Sequence, residues 1–147
     1  MTKKNTSESD SISPDDFDSF RKDLDEMGHL ARTEAILELG REESSEALAT
    51  LEKLARDENV RIRSKAVEAL GSNRSDRSLE LLIEALHDPH STVFNTAITA
   101  LGRQRREEAI PKLSKMLDSA TLCEVTSSAL SRFGSQVVEK EVFARLA

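Results

Sequence analysis

His87-Asp88-Pro89-His90 brings two imidazoles and a carboxylate within four residues, a spacing that could catch a metal ion. A stable centre wants three or four protein ligands, each oriented by outer partners. The third histidine, His29, lies far off in the chain, so no metal site is expected. Cys123 is the single cysteine, which rules out an intramolecular disulfide. A catalytic thiol needs a base beside it. None falls near Cys123, whose expected role is that of a small buried residue. The acid pairs Glu42-Glu43 and Glu107-Glu108 stand where helices open, and negative charge there complements the helix dipole. Glycines occur singly, with neither a phosphate-binding loop nor a Gly-x-Ser-x-Gly elbow. The residues therefore predict no catalytic site, no cofactor and no enzyme.

Bulk composition narrows the class further. Among 147 residues, 37% are apolar and 33% charged, with no Trp or Tyr and five Phe. So few rings argue against a base-stacking platform for nucleic acid. The formal charge is −6, whereas duplex binding rewards a basic footprint. Residues 1–26 hold four basic and eight acidic side chains, and the remainder is nearly balanced. The first residues carry two lysines without an apolar core, which is not a secretory signal. No run approaches the roughly 18 apolar residues of a membrane span. A cytoplasmic protein is the expectation.

The elements that position these residues repeat. Leu39-Gly40, Leu70-Gly71, Leu101-Gly102 and Phe133-Gly134 each close a helical pattern, with glycines 31, 31 and 32 residues apart. Aligned on them, ARTEAILELG, IRSKAVEALG, VFNTAITALG and VTSSALSRFG share a fifth-position Ala and a ninth-position Leu or Phe. Steps of four place those positions on one helix face. The closing glycine suits a position beyond the helix end, where the chain turns left-handed. Between these segments lie further helical stripes: Leu48, Leu51 and Leu54; Leu79, Leu82 and Leu86; and Ile110, Leu113 and Leu117. Each unit is thus helix, turn, helix, loop. One pair cannot bury its apolar face alone, but stacked neighbours make a continuous core.

DENVRIRSKAVEALG and EAIPKLSKMLD resemble short HEAT-like repeats, over roughly residues 28–134. The resemblance, which extends to phycobiliprotein lyase subunits and small bacterial scaffolds, implies an all-α fold. That fold is a right-handed α-solenoid of about four helix pairs with terminal capping helices. The second helices are expected near 30–39, 60–70, 91–101 and 122–133, in a single domain over 13–147 after a disordered tail at 1–12. Ser13-Pro14 starts an N-terminal cap carrying Phe17, Phe20, Leu24 and Met27; Val138, Val142, Phe143 and Leu146 stripe a final helix. The family also implies an ion-pair ladder through Asp57 and Arg63, repeated by Glu26 and Arg32. That ladder is expected to fail where Asp88 meets Phe94, an aromatic in the arginine position that could anchor a partner.

In such stacks the second helices line the concave side. Their outward positions are Arg61, Ser64, Lys65 and Glu68 in the second unit, and Thr92, Asn95, Thr96 and Thr99 in the third. In the fourth they are Glu124, Ser127, Ser128 and Ser131. Eight of these twelve are Ser, Thr or Asn, a choice that helix propensity does not explain. A hydrogen-bonding face of low charge suits a docked helix or peptide. A basic rim is expected from Arg74, Arg77, Arg103, Arg105 and Arg106, with Arg41 and Arg132, in or beside the loops that stacking gathers at one edge. The combined reading is a non-enzymatic adaptor or scaffold, monomeric or in a small complex, that grips a protein segment on its concave face. Alternatives are an accessory subunit of the phycobiliprotein-lyase type, or nucleic-acid binding through the arginine edge.

Overall fold

The computed structural model describes residues 12–116, 123–134 and 139. Within them run eight α-helices: α1 (Pro14–Glu26), α2 (His29–Arg41), α3 (Ser45–Leu54), α4 (Val60–Leu70), α5 (Asp76–Ala85), α6 (Ser91–Gln104), α7 (Ile110–Met116) and α8 (Cys123–Ser131). A 3₁₀ turn, Glu107–Ala109, leads into α7. Side chains that cap the first free N–H groups mark most of the starts. Ser13, Ser44 and Ser75 accept from the third residue onward at 3.1 Å each. Asn59 and His90 accept from the second, at 3.0 and 3.3 Å. Such caps each contribute about 0.5–2 kcal/mol. The N-terminal tail lies outside the described residues apart from Ile12, as does the C-terminal stripe of Val138, Val142, Phe143 and Leu146.

Alternate helices form two layers. In the inner layer α2, α4, α6 and α8 lie directly side by side, whereas the outer α3, α5 and α7 pack chiefly on inner helices, with α1 at the open end. Apolar faces of both layers meet in one core that includes Leu24, Ile36, Leu51, Leu54, Ile62, Val67, Leu70, Leu82, Val93, Ile98, Leu101 and Leu113. This is an α-solenoid of stacked helix pairs. The second helices are thus more closely spaced than the first helices.

The glycines set that spacing, in a way the sequence reading missed. Gly40 and Gly102 lie inside α2 and α6, and the Gly71 cap stays right-handed at φ −63°. Their role is close approach. A Cβ on Gly40 would stand 2.3 Å from the carbonyl oxygen of Ala69, and one on Gly71 or Gly102 would stand 2.9 Å from the Cβ of Ala100 or Ala129. The glycines of α2, α4 and α6 are therefore each seated on an alanine of the next second helix. The last seat slips: Ala69 and Ala100 hold the eighth position of the aligned segment, but Ala129 holds the fifth. Arg132 stands in the eighth position there, and its bulk cannot enter so narrow a seam. Left-handed backbone occurs at Arg105, φ 52°, which caps α6, and at Gly134, φ 92°.

The outer layer is bridged instead by long charged side chains. Arg77 on α5 donates to Glu52 on α3 at 2.6 Å, and Arg56 reaches both Glu52 at 2.8 Å and Glu84 at 2.9 Å. A buried amide secures the joint between the second and third units. Gln104 donates through Nε2 to the carbonyls of Leu70 and Asn73, at 3.0 and 2.5 Å, and to Ser78 Oγ at 3.1 Å.

Candidate functional site: the second-helix groove

The inner layer carries a groove in two adjoining stretches. The first, about 600 Å³, is lined by His29, Arg32, Thr33 and Ile36 of α2, by Val60 to Ile62, Ser64, Lys65 and Glu68 of α4, and by His90, Thr92 and Thr96 at α6. The second, about 480 Å³, shares Glu68, Thr92 and Thr96 and adds Asn95, Thr99, Ala100 and Arg103. The alanine seats bring α4 and α6 close enough for Ser64 Oγ and Thr96 Oγ1 to lie 3.1 Å apart. Thr33, Thr96 and Thr99 donate their hydroxyls to carbonyls one turn back, at 2.8–3.1 Å. That arrangement satisfies the proton locally and leaves the lone pairs of Thr33 and Thr99 as acceptors, while Thr96 accepts from Ser64. Asn95 Oδ1 is buried without a hydrogen-bond partner among the described residues.

The structure thus gathers Arg61, Ser64, Lys65, Thr92, Asn95, Thr96 and Thr99 along one groove. Ser127, Ser128 and Ser131 are exposed on α8 but line neither stretch. The sequence reading omitted the α2 wall, although Thr33 holds the register of Ser64 and Asn95. Cys123 and Glu124 have side chains outside the described residues.

Phe94 is not part of this groove. It is half-buried and packs against the core, in the register of Arg63 and Arg32. Phe94 and Arg63 turn into the joints between helices and line neither stretch, whereas Arg32, at the open end of the stack, borders the groove.

The ladder exists with other partners. Arg63 donates to the backbone carbonyl of Asp57 at 2.8 Å, while its Nε and Nη2 grip the carboxylate of Asp88 at 2.7 and 3.3 Å. Asp88 therefore meets the arginine of the preceding unit, and Phe94 breaks nothing there. The Asp57 carboxylate takes Arg21 of α1. Arg32 does not pair with Glu26; it donates to the carbonyls of Leu24, Asp25 and Met27 at 2.6, 3.2 and 3.1 Å. A six-residue step inside one unit brings an arginine to its own joint's backbone, and stacking supplies the carboxylate from outside. Burial pushes the Asp88 carboxyl up, but the Arg63 guanidinium and the His90 N–H pull it further down, to a net value below the ordinary range. Asp88 and His90 hold the stack and cap α6.

The expected basic rim is only partly basic. Arg77 lies on the outer layer and is neutralised by Glu52 and by Glu80 at 2.8 Å. The Glu52 carboxyl is held below its usual value by Arg77 first, against the effect of burial, with help from Arg56. Arg106 is engaged by Asp76 at 2.7 Å and Glu108 at 2.9 Å. Arg74, Arg103 and Arg105 are exposed and form no ion pair among the described residues.

No helix among the described residues is long and apolar enough to cross a membrane. A sequence profile of the family described as HEAT repeats matches residues 24–94 and, overlapping them, 62–134. No curated protein matches the chain.

Proposed function

The chain belongs to the HEAT-repeat family, whose repeats commonly mediate protein–protein interaction, and from that membership we propose that it is a non-enzymatic adaptor docking a partner segment in the second-helix groove. The observation that carries this reading is the groove lining. Ser64, Thr92, Thr96 and Thr99 form a continuous strip of small hydroxyl side chains between α4 and α6, with an apolar floor at Ile36 and Ile62. Small side chains leave room for an incoming helix or extended segment, and the lone pairs left as acceptors meet its donors. Neutralisation of Arg77 and Arg106 weighs against the arginine edge as a nucleic-acid footprint.

The test compares two baits in a native lysate: the unaltered chain, and a variant with Thr92→Tyr and Thr99→Tyr. Both threonines are exposed and line the groove, so the variant fills the channel with neutral bulk while the core stays intact. Circular dichroism should show equal helicity. A protein captured by the first bait and lost from the second is the expected result. Equal capture by both would remove the groove as the docking surface.

A further inference from the structure

Resting on the reading that the groove holds a partner segment, we infer that the segment is acidic and is anchored by its carboxylates at the α2–α4 end. The chain as a whole is acidic, at −6, yet the groove is not. Its two stretches carry Arg32, Arg61, Lys65 and Arg103 against the single carboxylate of Glu68. Lys65 takes up that carboxylate at 2.7 Å. Arg61 is exposed at the mouth and has no ion pair among the described residues.

Arg32 makes the case sharper. Its equivalent one unit later, Arg63, has both its own joint's carbonyl and the Asp88 carboxylate. By the same register Arg32 should face Asp57, but Arg21 of α1 occupies that carboxylate. Arg32 is left with three neutral carbonyls and no carboxylate among the described residues. Its charge is held firmly in place, half-buried, beside the groove. Its Nη1 makes no hydrogen bond among the described residues, and a carboxylate from outside would there add a charge-assisted bond, about twice as strong as a neutral one. The partly exposed Val60 beside these cations matches an apolar side chain next to the acid. The inferred partner is therefore a protein segment with Asp or Glu adjacent to an aliphatic residue.

The probe is a fluorescein-labelled ten-residue oligoglutamate, followed by anisotropy at low ionic strength against the full chain. Binding is expected despite the net repulsion between two acidic molecules. It should weaken about tenfold in Arg61→Ala and further in Arg61→Glu, while Arg74→Ala, an exposed arginine outside the groove, leaves it unchanged. Absence of binding, or an affinity indifferent to Arg61→Glu, would overturn the inference. So would an equal loss in Arg74→Ala, which would signify diffuse attraction. Tighter binding of a ten-residue oligothymidylate through Arg61 would overturn it in favour of nucleic acid. In the bait comparison above, an Arg61→Glu bait separates the two readings. Capture that survives Arg61→Glu but not the paired tyrosines would sink the acidic anchor and leave the groove standing. Capture that survives both would sink the groove itself.

Discussion

Gly40 sits inside a helix, where alanine is ordinarily favoured by about 1 kcal/mol. Here a methyl group would collide with backbone atoms of Ala69, which cannot rotate away. Gly40→Ala should therefore reverse the usual sign and destabilise the chain by about 1–3 kcal/mol in urea denaturation. Gly28 has nothing within 4 Å of a built Cβ and stands at an N-cap with φ −62°. Gly28→Ser should leave stability unchanged or raise it by a few tenths to about 1 kcal/mol. The contrast also shows how far single residues were legible. The period alone marked Ser64, Thr92, Thr96 and Thr99 as facing outward together, because a helix face follows from spacing. It could not say that Gly40 serves a neighbouring helix, since a glycine at a pattern's end looks the same whether it turns the chain or admits another backbone. Gln104 was missed for a related reason: two of its three acceptors, the carbonyls of Leu70 and Asn73, come from the unit before.

Successive units are joined differently on their two sides. The inner seam is steric and close; the joints and outer seam use Arg63–Asp88, Arg77–Glu52 and Arg56–Glu84. Asp88 and Glu52 both have folded pKa values below their unfolded ones. Their contribution is thus complete above the unfolded range near about 4, and is lost as pH falls through the folded values. Stability measured from pH 7 downward should be level to about pH 5 and then drop. Asp88→Asn should cost about 1.5–3 kcal/mol at pH 7, because it breaks a charged hydrogen bond at a mostly buried site. It should also flatten the acid limb; an unchanged limb would mean that other carboxyls govern it. Helix positions were readable from caps and apolar stripes, but the ladder's pairing was not. Asp88 lies 25 residues from Arg63, and only the stacked geometry ranks it above nearer acids.

For the molecule as a whole, the two overlapping family matches and the layered core describe an array rather than a globule closed on itself. In such arrays stability accumulates from units and their interfaces. Gly40 on Ala69 and Gly71 on Ala100 pair the same two register positions, moved by one 31-residue step. A second copy of residues 62–92 inserted after Thr92 would keep every such seat in phase, and Arg63 of each copy would find an Asp88. The longer chain should melt at a higher temperature with helicity increased in proportion, whereas an insertion two residues short should melt lower. Ahead of the first unit the rule stops. Glu38 holds the position that Ala69 and Ala100 hold later, and its side chain is tied to Arg41 at 2.7 Å. The glycine seat is, in this sense, a unit of inheritance: it lets duplication lengthen the groove in whole steps from within, while a single glutamate fixes where the count begins.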